Sequence, residues 1–460
     1  MSDTQNAAGR RIASLLDANS FAPIGAGVKA RSTDFCLSEN AAASDGVITG
    51  FGTIEGCPVY VYSQDAAVLG GTIGEMHAKK IVRLYEMAAK TGSPVIGILD
   101  SNGVRLEEST DALDALGSIY AAMSAASGVI PQIAIVAGNC GGALSFIPAL
   151  SDLVLMTDKA KLFVNSPDAI EGNSADVMDN RTAAFQAKAG NVDFAGTEEE
   201  VFAAARALVG FLPANCEDDG EIIACTDDLN RATPNLSTLN EDAAKILEQI
   251  ADNGVFCEMK KDYASNMVTG FMRLDGQTIG AVANRGVKDT VCACGAKKAA
   301  SFINLCDSFN IPVFMIANAS AYGRTEKCEK MLPFMASKLI YAYANATVPK
   351  VTLVTGKAFG GAYVMMGSRA LGADVVFAWP NASIGAMDAK QAAKIVAEGA
   401  DQREAAKKFA ELQNNVASAA ARGYVDTVIE EADTRKYVIG AFEMLYTKKE
   451  NRPLKKHGTI

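Results

Sequence analysis

The chain has 460 residues, 49% of them hydrophobic and 21% charged, and carries a formal net charge of −10. A single hydrophobic core does not usually grow to this length, so two domains of about 200 residues each are expected. The acidic balance argues against a nucleic-acid or anionic-membrane binder, while leaving room for a local basic patch toward a phosphorylated ligand.

In chain order, the opening segment MSDTQNAAGRRIASLLDANSF holds no apolar run long enough for a secretory leader. GTIGEMHAKKIVRLYEMAAKTG then places Ile73, Met76, Ile81, Leu84 and Ala88 at roughly helical spacing, with Gly92 as the stop and VIGIL as a buried strand. The most membrane-like stretch is 130–156, IPQIAIVAGNCGGALSFIPALSDLVLM. Pro131, Asn139, Pro148 and Asp152 interrupt it, so it reads as strand, glycine turn, buried helix and strand, not as a span. A soluble cytoplasmic chain is the expectation. The cysteines form no Cys-x-x-Cys pair, and only His77 and His457 could add imidazole, so reduced thiols are expected and no metal site.

The second half repeats the first. IPQIAIVAGNCGGAL beginning at Ile130 is echoed by VPKVTLVTGKAFGGAY beginning at Val348, with Pro131 and Pro349 lying 218 residues apart. SPVIGILDS and IPVFMIANA give the same 218 through Pro94 and Pro312, and GFGTIEG matches GFMRLDG at a shift of 220. Collinear matches at nearly one offset indicate two copies of one domain. The seam is expected in the polar stretch 226–240, TDDLNRATPNLSTLN, which divides the chain into 1–230 and 231–460. In the second copy AAKKAASFINLCDSFN repeats the helical pattern with Phe302, Ile303, Cys306 and Phe309. Continuous apolar strands between amphipathic helices predict an α/β class with covered sheets.

The paired glycines Gly141 and Gly142 lack the Lys-Ser/Thr of a phosphate-binding loop and the G-x-G-x-x-G spacing. They could simply permit close helix–strand packing. Their recurrence at Gly360-Gly361-Ala362 adds another reading, because small residues opening a helix leave backbone N–H groups unpaired and aimed outward. Such donors can hold a developing oxyanion. Two histidines make a histidine-based triad a poor fit, and Ser145 has no G-x-S-x-G elbow. The chemistry would then rest on backbone dipoles and on a cofactor supplying the base.

At these residues the chain resembles the biotin-dependent acyl-CoA carboxyltransferase family, which includes propionyl-CoA carboxylase beta subunits and biotin-dependent decarboxylase alpha subunits. RIASLLDANSF, DGVITGFGTIEGCPVYVYSQD, GGTIGEMHAKKI and SGVIPQIAIVAGNCGGALSFIPALSD resemble its N-terminal half. KVTLVTGKAFGGAYVMMGSRALGADVVFAWPNASIGAM, ARGYVDTVIE and RPLKKHGTI resemble its C-terminal half. The resemblance implies two tandem crotonase-like domains of β-β-α spiral units, acyl-CoA on the N-terminal domain and biotin on the C-terminal one. It also implies active sites between domains of different subunits, in a hexamer of paired dimers.

Residue by residue, Gly141 and Gly142 match the family's oxyanion hole for the thioester enolate, and Gly361 and Ala362 match the one for the biotin ureido oxygen. In the implied mechanism carboxybiotin yields carbon dioxide and a ureido anion, which removes the α-proton of the acyl-CoA, and the enolate attacks the carbon dioxide. SNGVRLEES matches the acyl-CoA-binding turn, with Ser101 and Arg105 kept and Asn102 in place of a glycine. Gly71 belongs to the same acyl-CoA region, and Lys79 and Arg83 would meet CoA phosphates. A solvated helix face for the lysine and an ion-pair role for Arg105 stand beside those assignments. Val364, after GGAY, replaces an acid found in some propionyl-type members at a pocket position.

The departures fall in the half expected to meet biotin. NASAYGRTEKCEKMLPFMASK stands where the family has D-x-P-G-F followed by G-x-I-R-H-G-A-K, and Val291-Cys292 replaces Leu-Asp. The biotin-carrier M-K-M motif is absent, so biotin would arrive on a biotin carboxyl carrier protein, with biotin carboxylase or membrane decarboxylase subunits as further partners. A non-catalytic scaffold subunit is the competing reading that the rewritten 317–337 loop motivates.

Overall fold

The structure, a computed structural model, describes residues 6–31, 44–286, 290–397 and 401–452. Cys36, His457 and all but the first residue of RPLKKHGTI lie outside them. The chain divides into two compact units, Met1–Asp219 and Gly220–Ile460. The division precedes the stretch 226–240 because the intervening residues bond within the second unit. Ile223 N donates to Gly276 O at 3.2 Å and Thr233 N to Ala432 O at 2.9 Å.

The first unit builds its sheet from β1 (Val47–Ile54), β2 (Cys57–Gln64), β3 (Val95–Ser101), β4 (Gln132–Gly141), β5 (Leu153–Thr157) and β6 (Lys161–Phe163). Ala22–Pro23 and Phe194–Gly196 close its edges. β1 and β2 form an antiparallel hairpin through Glu55 and Gly56, both at positive φ (51° and 84°), the conformation of the tight turns that match strand twist. From β2 onward the pairing is parallel, β2–β3–β4–β5. Parallel neighbours need crossover connections, supplied here by helices α1 (Glu75–Thr91) and α2 (Ser109–Ala126). α1 buries Ile81, Leu84, Tyr85 and Ala88 on one face and ends at Gly92 in the left-handed conformation, as the sequence pattern predicts. Met76 lies in the helix as expected, but Ile73 precedes it and bridges to Val104 instead.

β4 serves two partners. Residues 133–136 pair with β5, while residues 139–141 pair with β6. A register shift between Leu99 and Ser101 accompanies the change, so the sheet turns where β4 ends. The segment 146–150 is a short helix, but Phe146 and Leu150 are half-exposed, so this helix is less buried than its apolar sequence suggests.

The second unit repeats this plan. Its sheet is built from β7 (Met267–Leu274), β8 (Gln277–Asn284), β10 (Val313–Ala319), β12 (Lys350–Phe359), β13 (Val375–Ala378) and β14 (Ser383–Gly385), with Phe256–Met259 and Thr427–Val428 at its edges, while β9 (Thr290–Val291) and β11 (Ala321–Tyr322) pair as a separate two-stranded sheet. α3 (Ala293–Ser308) and α4 (Glu326–Asn345) cross between parallel strands, and α5 (Gly360–Met365) follows β12. Asp275-Gly276 closes the β7–β8 hairpin. β12 pairs with β13 over its first half and with β14 over its second, and the register shift recurs between Ala317 and Ala319. The long strand, its two pairings and the register shift lie 218 residues beyond their counterparts and the hairpin lies 220 beyond, so the repeat read from the sequence is a repeat of structure. Among the described residues no helix is long and apolar enough to cross a membrane.

Candidate active site

The glycine turn of the first unit begins where β4 ends. Gly141 is extended and paired with Phe163, and a Cβ on it would lie 2.6 Å from that ring. Gly142 turns left-handed (φ +60°), faces open space, and starts a helical turn over Gly142–Ser145. The carbonyls of this turn are held from within the unit: Ser145 Oγ donates to Gly142 O at 2.7 Å, and the Tyr120 hydroxyl donates to Ala143 O. The first N–H groups of such a turn have no intrahelical acceptor, which leaves them available to a ligand.

The second turn corrects the expected pairing of the two sites. Gly360, not Gly361, ends the strand at positive φ (+57°), so Gly142 corresponds to Gly360 and Ala143 to Gly361. Gly141 corresponds to Phe359, still in the strand. Matching one glycine pair onto the other by eye slips the register, because the left-handed residue is the second member of the pair in the first copy and the first member in the second. Ala362 lies in the first turn of α5 and is buried, and Val364 borders a cavity of about 320 Å³ with Tyr363, Ser368, Ile384 and Phe409.

SNGVR is held against the first turn. Asn102 N donates to Gly70 O at 3.0 Å, and the Asn102 side chain accepts from Asn139 Nδ2 at 3.0 Å. Gly71 is buried at positive φ, where a Cβ would lie 2.4 Å from Asp100 O, so no larger residue allows the approach to β3. Ser101 is buried and its Oγ accepts from Gly103 N at 3.2 Å, which makes it a brace within the turn.

Arg105 is turned into the interior of its unit. It is 1% exposed and pairs with Asp45 and with Glu108 at 2.8 Å, while Nη2 donates to Thr72 O at 2.7 Å. Glu108 in turn accepts from Glu75 N at 2.6 Å at the start of α1. The Arg105 donors are committed to buried acceptors, which favours the ion-pair alternative over the acyl-CoA role. Sequence reading did not identify Asp45 as its partner, since the two are 60 residues apart. Burial raises the Asp45 carboxyl above its ordinary pKa, and Arg105 pulls it back down. Lys79 is solvent-exposed, pairs with Glu75 at 2.6 Å, and lines a cleft of about 480 Å³ with Arg31 and Arg83.

Among the described residues no imidazole serves either turn. His77 is fully buried, with Nδ1 2.9 Å from Asp45 O and Nε2 3.3 Å from Gln64 Nε2. The carbonyl requires Nδ1 to donate, leaving Nε2 to accept. Burial, reinforced by Arg105, drops the His77 pKa to about 3. The folded protein therefore keeps His77 neutral, and the stability this provides is complete above pH ~6.5 and lost as pH falls toward 3. Asp45 acts in the opposite sense, so the comparison with His77→Gln isolates the term. Urea midpoints measured from pH 7 to 4.5 should show the wild type losing up to about 1.4 kcal/mol per pH unit more than the variant; parallel curves would refute the assignment.

The two departures from the family pattern meet in the second unit. β9 pairs with β11, setting Val291 beside Tyr322. Cys292 caps α3, its Sγ accepting from Gly295 N at 3.2 Å, and a Cβ on Gly323 would lie 2.9 Å from Cys328 Sγ. A Cβ on Gly361 would lie 2.2 Å from the Tyr322 hydroxyl. Nothing in the sequence singles out Tyr322 until the 218-residue offset sets it opposite Val104. Among the described residues no cluster of His, Cys, Asp and Glu is arranged to hold a metal ion.

A carboxyl transferase domain is matched over residues 3–460. The chain is 38% identical to the methylmalonyl-CoA decarboxylase alpha subunit of Veillonella parvula, over 98% of this chain and 92% of that one. It is 39% identical to the propionyl-CoA carboxylase beta chain of Roseobacter denitrificans, with the same coverage. Its structure is similar to that of the transcarboxylase 12S hexamer with hydrolysed methylmalonyl-CoA bound, with a TM-score of 0.93 at 37% identity, covering 98% of this chain and 92% of that one.

Proposed function

The chain belongs to the carboxyl transferase family, with two crotonase-fold units, and on that premise we propose that it moves a carboxyl group between biotin and the α-carbon of a short-chain acyl-CoA. The single observation that carries this reading is the pair of matched glycine turns, each with a left-handed glycine that opens a helical turn at the end of the longest parallel strand of its unit, where the first N–H groups have no intrahelical acceptor. Backbone donors fixed in this way favour an anionic oxygen without reorganising as charge develops.

The first-unit turn at Gly142 holds the thioester oxygen as it gains enolate charge, and SNGVR and Gly71 set the shape around it. Lys79, with Arg31 and Arg83, offers positive charge to CoA phosphates along its cleft. The second-unit turn fits the ureido group of biotin. Gly361 carries no Cβ to block approach, and the Tyr363 and Ser368 hydroxyls beside the turn are buried without a partner among the described residues. Biotin, when bound in its carboxylated form, supplies the carboxyl group and, once relieved of it, the base for the α-proton. Gly361 and Ala362 hold the ureido oxygen in place, and Val364 gives that region an apolar wall. Among the described residues the one histidine, His77, is locked inside, which agrees with a base supplied by the cofactor.

Biotin arrives on a separate carrier protein in this reading, in a cytoplasmic homo-oligomer. The likeness to a decarboxylase alpha subunit adds a second setting for the same half-reaction, run off a malonyl-type thioester. Free biotin supplied with malonyl-CoA, methylmalonyl-CoA or glutaconyl-CoA is expected to stimulate release of the decarboxylated thioester. No stimulation with any of them, nor with a biotinylated carrier, would favour a scaffold subunit instead.

A further inference from the structure

The second turn carries a side chain that the first lacks. In each unit a bridge ties the segment before the first crossover helix to the turn after the next strand: Ile73 to Val104 in the first, Val291 to Tyr322 in the second. Both positions keep the 218-residue offset, so Tyr322 stands where the first unit has an aliphatic residue. Gly323 N donates to Val291 O at 2.9 Å and fixes the end of the short β11 strand.

From there the phenol reaches the turn. Its oxygen would lie 2.2 Å from a Cβ on Gly361, so it rests against the Gly361 peptide, and only a glycine tolerates it there. Tyr322 is 40% exposed, and its hydroxyl has no hydrogen-bond partner among the described residues. Partial burial raises its pKa, so the group is a neutral donor throughout the physiological range. Tyr363 Oη and Ser368 Oγ, on residues that line the neighbouring 320 Å³ cavity, are likewise unpartnered. Buried or half-buried hydroxyls without acceptors call for a ligand that brings one.

We propose that the Tyr322 hydroxyl donates an additional hydrogen bond to the anionic oxygen held by Gly361 and Ala362, which is the ureido oxygen on the function proposed above. The proton stays on the phenol; its role is to stabilise charge that grows on the acceptor. The rewritten loop therefore adds a donor to the site where the sequence alone suggested damage.

Tyr322→Phe removes one oxygen and keeps the ring. A hydrogen bond to a charged acceptor contributes about 1.5–3 kcal/mol, so turnover should fall about 10- to 100-fold while the KM for the CoA thioester and the melting temperature hold. Calorimetric titration with free d-biotin gives a readout independent of turnover, and the variant should bind about 2- to 10-fold more weakly, as expected for a neutral acceptor. A variant within twofold of wild type in both measurements overturns the role of Tyr322 alone. A loss confined to melting temperature or thioester KM assigns the residue to packing and overturns it too. A wild-type protein that neither binds d-biotin nor transfers carboxyl overturns the function on which the inference rests.

Discussion

Gly142→Pro is expected to reduce carboxyl transfer by about 10²–10³-fold or more, the effect of removing one donor from a preorganised oxyanion site. Proline deletes the N–H and cannot adopt the +60° φ that turns the chain from β4 into the helical turn. Gly142→Ala separates the two effects. It keeps the donor, has open space for its Cβ, and incurs about 1–2 kcal/mol for the left-handed conformation. The alanine variant should therefore keep most of its turnover, with a modest loss of stability. Steady-state rates on variants whose circular dichroism matches wild type test this. Full activity in a folded Gly142→Pro would remove the oxyanion role from this turn.

Arg105→Met is expected to destabilise the first unit by about 3–5 kcal/mol, the usual consequence of leaving buried charges without their partner. Asp45 and Glu108 both have side chains at 0% exposure, and Arg105 forms an ion pair with each of them. Arg105→Lys should rescue little, because one ammonium cannot span Asp45, Glu108 and the Thr72 carbonyl as the guanidinium fork does. Replacing the trio together, with Asp45→Asn and Glu108→Gln added to Arg105→Met, should recover most of the loss. Urea midpoints decide the matter. If Arg105→Met left stability unchanged and instead weakened CoA thioester binding, Arg105 would be a ligand group after all.

Much of the fold was legible because its signals are local. The 220-residue match of GFGTIEG with GFMRLDG marks the two hairpins as copies of one another, and Gly92 marks the end of α1, where the structure turns it left-handed. The site was legible only to within a residue or two. Which glycine turns left-handed depends on where β6 and β14 release β4 and β12, and that pairing is remote in sequence. The seam was displaced for a similar reason: residues 220–233 are polar and turn-rich, yet their backbone groups find partners in the second unit.

The sequence by itself determined that this chain is one domain written twice, with apolar strands, amphipathic crossovers and a small-residue turn after the longest strand in each copy. Those features follow from composition and spacing, which act over a few residues. Tertiary structure alone decided what individual side chains do. It committed the Arg105 guanidinium to an internal ion pair by bringing Asp45 to it across 60 residues. It also set Tyr322, from a loop that looks degraded, over the bare Cα of Gly361. Both outcomes depend on contacts between segments far apart in the chain, and such contacts exist only once the sheet has fixed which segments are neighbours.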